Sequence, residues 1–153
     1  MAIRQKTVIG MTMSGTGETH ARTKINVRDV SLVIDEPVER GGTNLGPAPT
    51  ETLMAALMSC TNVITQRIAE RMGVTIGSLE IGLTSDFDRR GVLLAEEVES
   101  PFSNVVLNID ISTDATPDQI TDIQRDLQMY CPIAKVFRGS GISVAEYWTV
   151  SPL

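Results

Sequence analysis

The chain has 153 residues, 42% of them hydrophobic and 21% charged, with one histidine and two cysteines. A chain of this length buries roughly 68–70% of its unfolded surface, so one globular domain over residues 1–153 needs neither disulfide staples nor a structural metal. The formal charge of −6, from 19 acidic against 13 basic residues, offers no long-range attraction to nucleic acid or to an anionic membrane. One histidine and two cysteines leave too few ligands for the usual zinc sets. The first residues, Met-Ala-Ile-Arg-Gln-Lys-Thr, hold no apolar core of a signal peptide. The longest strictly apolar run, Leu53 to Met58, is far short of the roughly 18 residues a membrane span needs. A cytoplasmic address is therefore expected, where thiols stay reduced.

The first elements in chain order are strands. Thr7 to Met13 and Arg22 to Asp35 are rich in Val, Ile and Thr, with Ile25 and Val27 in one phase and Val30, Leu32 and Ile34 in the next. With Ser14-Gly15-Thr16-Gly17 read as the turn between them, residues 7–35 form a β-hairpin or meander. His20, the one candidate for a Ser-His-Asp arrangement, falls in the polar stretch Gly15 to Arg22, which reads as a hairpin tip. Residues 36–49 hold three prolines and three glycines and read as a loop. The glycines at 41, 42 and 46 lack the Lys-Ser/Thr that a phosphate cradle requires, since Pro47 follows the last of them. This loop is expected to be a rigid lead-in to a helix.

Residues 50–72 run without Gly or Pro and carry Leu53, Leu57, Cys60, Ile64 and Ile68 on one stripe, widened by Met54, Met58 and Val63. The spacing predicts a central helix with more than one buried face, roughly 35 Å long. Residues 74–111 return to strand character, over Val74 to Asp86, over Gly91 to Glu97 and in the alternation of Val105 to Ile111. Thr116-Pro117-Asp118-Gln119 is a capping-box start with proline at the first helical position. The helix it opens carries Ile120, Ile123, Leu127 and Tyr130 as its apolar stripe. Pro132 breaks that helix at Cys131, a short segment restarts to Arg138, and residues 142–150 form a last strand.

The two cysteines differ in setting. Cys60 lies mid-helix on the apolar stripe, where an unpaired cysteine serves as a small core residue. Cys131 falls at the N-cap of the restarted helix, facing unpaired amides and the positive end of the dipole, a placement that favours thiolate, or else at an ordinary helix kink. The methionines at 11, 13, 54, 58 and 129 suit an adaptable apolar pocket or plain core filling.

Asp35-Glu36-Pro37, then Gly41-Gly42-Thr43-Asn44-Leu45-Gly46-Pro47, then Pro49-Thr50-Glu51 running on to Ser59-Cys60, and finally Cys131-Pro132-Ile133 together resemble the OsmC/Ohr family of thiol-dependent hydroperoxide reductases. The resemblance implies an α+β fold with antiparallel β-sheets packed around long central helices in an intertwined homodimer. It implies a peroxidase for organic peroxides, and for hydrogen peroxide as the smaller substrate, in which Cys60 becomes a sulfenic acid and Cys131 resolves it as a disulfide. An external dithiol would reduce that disulfide, lipoyl-type compounds among the candidates, and no metal, haem or flavin is implied. The family's arginine held by a glutamate maps its glutamate onto Glu51 and its arginine onto Arg22 first, with Arg28 and Arg40 as alternatives. A family relative that only binds small molecules or senses redox state is the other reading.

Glu51 and Cys60 are nine residues apart, about 900° around one helix and roughly 13 Å along it, so they point to opposite faces. One arginine hardly reaches both within a chain. A second chain, with its central helix antiparallel to the first, is expected to unite them across the face that bears Met54 and Met58.

Overall fold

The computed structural model describes residues 7–153. Residues 1–6, over which no apolar leader core is expected, lie outside the described residues. The chain divides into two compact units at Leu53/Met54.

The first unit is an antiparallel meander in the order β1 (Met13–Gly17), β2 (Arg22–Val27), β3 (Val30–Asp35). The expected strand over Thr7 to Met13 and the expected turn at 14–17 are both corrected, because residues 13–17 are themselves the strand, paired from Met13↔Val27 to Gly17↔Thr23. A strand persists only as far as its partner. β2 ends at Val27, so residues 7–12 have nothing to pair with, and Val8, Ile9 and Met11 stay exposed. The turn falls at residues 18–21 instead, where Thr19 Oγ1 accepts the amides of Ala21 and Arg22 at 3.2 and 2.9 Å and His20 sits exposed at the tip. The phase change between Val27 and Val30 is a two-residue turn, with Arg28 at φ 52°, the left-handed conformation that a tight hairpin requires.

The loop after β3 begins with a 3-10 turn at Val38–Arg40 and folds back on fully buried Asp35. One carboxylate oxygen of Asp35 accepts the amides of Thr43 and Leu45, both at 3.1 Å, and the Thr43 hydroxyl. Burial pushes this carboxyl up, but the hydrogen bonds from Thr43 and Leu45 outweigh it and hold the group below its ordinary value. Two glycines are sterically required: a Cβ at Gly42 would stand 1.7 Å from the Glu36 carbonyl oxygen, and one at Gly46 would stand 2.1 Å from that of Val33. The loop is the rigid lead-in that its composition predicts.

It feeds α1 (Pro49–Met72). Glu51 opens the helix by accepting the Ala48 amide at 2.8 Å, the reach-back half of a capping box. In the second unit α1 buries one arc, Leu57, Thr61, Thr65, Ile68 and Ala69. Met54 and Met58 pack on this same core, while Leu53 and Val63 are 40% and 42% exposed. The sheet of this unit presents one apolar face, so one arc of the helix is covered. Thr61 tolerates the core because its hydroxyl donates to the Leu57 carbonyl at 2.9 Å.

That sheet has the order β4 (Ile76–Phe87), β5 (Phe102–Thr113), β6 (Val144–Ser151). Alternate residues of β5, namely Val105, Leu107, Ile109 and Ile111, are buried to 2% exposure or less. β4 and β5 pair antiparallel, but β6 runs parallel to β5 with Ile109 opposite Trp148. The expected all-antiparallel arrangement is corrected here, because α2 (Pro117–Tyr130) and α3 (Pro132–Gly139) supply the long crossover that a parallel pair needs. The strand expected over Gly91 to Glu97 is a loop. Its amides bond locally, Leu93 to Arg89, Leu94 to Gly91 and Ala95 to Arg90, while Arg90 clasps Asp88 and Glu96. The capping box of α2 forms as read, with Thr116 and Gln119 exchanging amide bonds at 2.9 and 3.3 Å. Mixed strands and helices make the chain α+β, and no helix of the described residues is long and apolar enough to cross a membrane.

Candidate active site

The second unit brings Cys60 and Cys131 together although 71 residues separate them in sequence. Helix α1 sets Cys60 at the margin of its buried arc, half-buried against the core to which fully buried Cys131 belongs. Cys131 ends α2 and caps α3. Pro132 prevents helical geometry at the preceding residue, and Cys131 is extended there, with φ −69° and ψ 109°. Its Sγ accepts the Ala134 amide at 3.4 Å. Both thiols are free.

The N-cap position of Cys131 is as read from the sequence, but the thiolate expected there is corrected. Burial pushes the Cys131 thiol from 9.0 up to about 11; the Ala134 amide opposes the shift, and the neighbouring Cys60 thiol adds to it. A neutral thiol in an apolar core keeps its proton because one long amide contact replaces little of the hydration a thiolate would lose. The pair is thus asymmetric, one thiol at the margin and one protonated thiol behind it.

A brace spans the α2–α3 joint that holds Cys131. Arg138 on α3 donates to the Gln128 carbonyl on α2 at 3.3 Å and to the Glu146 carboxylate on β6 at 3.0 Å. Burial pushes the Glu146 carboxyl up, against the Arg138 charge, which lowers it. Sequence reading missed this pair. The available signal was a carboxylate in the middle of the strand expected over residues 142–150.

The first unit holds the other candidates. Arg22, at the start of β2, pairs with Glu18 at 2.9 Å and donates to Thr43 Oγ1 at 2.7 Å. The Thr43 hydroxyl in turn donates a hydrogen bond to Asp35, so Arg22, Thr43 and Asp35 form a hydrogen-bonded relay that the sequence alone did not reveal. Arg40, not Arg22, is the arginine beside Glu51: its guanidinium lies 3.2 Å from Glu36 and 3.9 Å from Glu51. Arg28 occupies the exposed turn at the other end of β2 from Arg22, roughly 20 Å along the strand. Of the methionines considered for a pocket, Met11, Met13 and Met129 are exposed, and Met54 and Met58 are partly buried against the core. Among the described residues no three His, Cys, Asp or Glu side chains converge on a point that could hold a metal ion.

A family model described as OsmC-like protein matches residues 42–146, which include Glu51, Cys60 and Cys131. No curated protein matches the chain. The fold is similar to an OsmC-like protein from Mycoplasma pneumoniae, with a TM-score of 0.77 and 13% identity over 93% of this chain and 97% of that one. An organic hydroperoxide resistance protein from Elizabethkingia anophelis superposes with a TM-score of 0.65 and 18% identity, covering 97% of this chain and all of that one. The organic hydroperoxide resistance protein OhrB of Bacillus subtilis gives 0.63 and 18%, over 92% and 98% of the two chains. At these identities the structures speak for the fold, and the family model speaks for descent over 105 of 153 residues: the chain belongs to the OsmC-like protein family.

Proposed function

We propose that the protein is a thiol-dependent peroxidase for organic hydroperoxides. The observation that carries this reading is the placement of a half-buried Cys60 thiol beside a fully buried Cys131 thiol in one unit. The names of the Elizabethkingia and Bacillus proteins of like fold point the same way. Cys60 thiolate attacks the distal peroxide oxygen, the O–O bond breaks, and the alkoxide leaves as the alcohol after taking a proton. Cys60 is left as a sulfenic acid. Cys131 then attacks that sulfur, a Cys60–Cys131 disulfide forms and water leaves. An external dithiol, oxidised in turn to its own disulfide, returns both cysteines to thiols.

The same reading assigns the thiolate-stabilising charge to an arginine of the first unit, held either in the Arg22–Thr43–Asp35 relay or between Glu36 and Glu51 as Arg40 is. Because Glu51 and Cys60 lie half a turn out of phase on α1, a homodimer supplies the missing group from the second chain. Free thiols counted over time after mixing with cumene hydroperoxide test the reading. Two thiols per chain are expected to disappear, and none in Cys60→Ser. Loss at the pace of an ordinary free thiol, or loss that survives the substitution, overturns it. Arg22→Met and Arg40→Met in the same assay assign the arginine.

A further inference from the structure

One buried charge has no part in the thiol chemistry. Glu146 lies on the core face of β6, between Val144 and Trp148 and opposite Leu107 of β5, with its side chain only 6% exposed. Its ion-pair partner is Arg138. Glu146 Oε2 and, on the same face, the Trp148 indole Nε1 have no hydrogen-bond partner among the described residues. A carboxylate in such a place adds little to stability, because the cost of drying an ion pair roughly cancels its attraction and well-packed apolar side chains of like volume serve as well. What the pair does supply is direction.

That direction acts at Cys131. The ladder of α2 ends with the Cys131 amide bonded to the Leu127 carbonyl, and the ladder of α3 begins with the Lys135 amide bonded to the Cys131 carbonyl. Pro132 has no amide to carry a bond across the joint. The backbone torsions of Cys131 are therefore the hinge between the two helices, and they also aim its Sγ. Buried Ala134 and Phe137 seat α3 on the core, but apolar contact has no preferred direction. Arg138 closes the hinge. One arm of its guanidinium reaches the Gln128 carbonyl in the last turn of α2 and the other the Glu146 carboxylate, so α2, α3 and β6 are tied together around Cys131.

We propose that Arg138 and Glu146 are positioning residues for Cys131, a fork and its buried anchor that fix the hinge from which this thiol is aimed at Cys60. A disulfide needs a specific approach, with Cβ atoms about 3.5–4.5 Å apart, and a misplacement of about 1 Å at a reacting atom costs on the order of 10²-fold in rate. A guanidinium suits the task because its planar fork meets two acceptors in one fixed geometry, whereas an ammonium is a point charge. The part this pair plays in turnover rests on the peroxidase reading. Its part in closing the Cys60–Cys131 disulfide does not, since a dithiol reagent exchanges with that disulfide without any peroxide.

The test equilibrates the full chain with reduced and oxidised dithiothreitol, in which the Cys60–Cys131 disulfide forms as oxidised dithiothreitol becomes the dithiol. The double variant Arg138→Met, Glu146→Gln leaves neither charge buried and unpaired, so its urea midpoint is expected close to that of the wild type. Its equilibrium constant for disulfide formation is expected to fall about tenfold or more. Arg138→Lys keeps a charge against Glu146 but cannot span both acceptors, and a smaller fall is expected; this variant decides alone if the double variant does not fold. Constants within about twofold of the wild type overturn the positioning role, as does a fall in the double variant that merely accompanies a lowered urea midpoint while Arg138→Lys is unchanged. With one equivalent of cumene hydroperoxide, the rate of second-thiol loss relative to first-thiol loss is expected to fall in the same order. If no protein loses thiols to peroxide and the dithiothreitol constants separate as expected, the positioning role stands and the peroxidase reading falls. If peroxide consumes two thiols in every protein and the constants agree, the peroxidase reading stands and the positioning role falls.

Discussion

Resolution of the sulfenic acid is the step on which the buried Cys131 bears most directly. With the thiol pushed up to about 11, only about one chain in 10⁴ carries the thiolate at pH 7, and the fraction grows tenfold with each pH unit. Since the thiolate is the attacking form, disulfide formation after a single oxidation of Cys60 is expected to accelerate about tenfold per unit from pH 7 to beyond pH 9. The assay is a single turnover. Reduced protein takes one equivalent of hydroperoxide, and disappearance of the second thiol is followed by stopped flow with a quenched thiol probe. Because the single equivalent is consumed first and only the later loss of the second thiol is followed, the slope reports the resolving step rather than the oxidation of Cys60. Cys131→Ser should stop at one lost thiol per chain and, with excess peroxide, carry Cys60 on to the sulfinic acid. A resolution rate that is flat between pH 7 and 9 would refute the argument that burial controls this thiol.

The same shift has a stability consequence. A group whose folded value lies above its unfolded one contributes most below the unfolded value, so stability is expected to fall as pH rises from about 9 to about 11; urea titrations should show this fall in the wild type and a smaller one in Cys131→Ala. Gly46→Ala places a methyl 2.1 Å from the Val33 carbonyl oxygen and should cost about 2 kcal/mol or more, read as a lower urea midpoint, whereas Gly139→Ala, with open space around it, should cost nothing. Ile109→Ala, at a fully buried position in β5, should lose about 2–5 kcal/mol. Thr116→Ala removes the cap of α2 and should lose about 1 kcal/mol by the same method.

Several features were legible in the residues because their causes are local. The capping box at Thr116, the break at Pro132 and the Gly-free run that becomes α1 all follow from backbone sterics and from donors satisfied within four residues. The slip in phase between Val27 and Val30 likewise encodes the turn at Arg28. Errors came where a partner strand decides. Ser14 to Gly17 has turn composition, yet it lies opposite Thr23 to Asn26 and extends as a strand, with Gly15 making room for Ile25. Gly91 to Glu97 has strand composition but no partner among the described residues, and its amides close on themselves. The parallel course of β6 could not be read from its residues either, since parallel and antiparallel strands share one alternation.

At the site the division is the same. The sequence by itself determined which side chains could do chemistry: two thiols, hardly a metal ligand, a glutamate in the first turn of a long helix and a Cys-Pro joint that starts another. Tertiary structure alone decided how those groups behave. It set Cys131 in the core, where desolvation outweighs the helix-start amide and keeps the thiol neutral. It put Arg40 rather than Arg22 beside Glu51. Ionisation and pairing depend on solvent exclusion and on distance, and neither is a property of spacing along a chain.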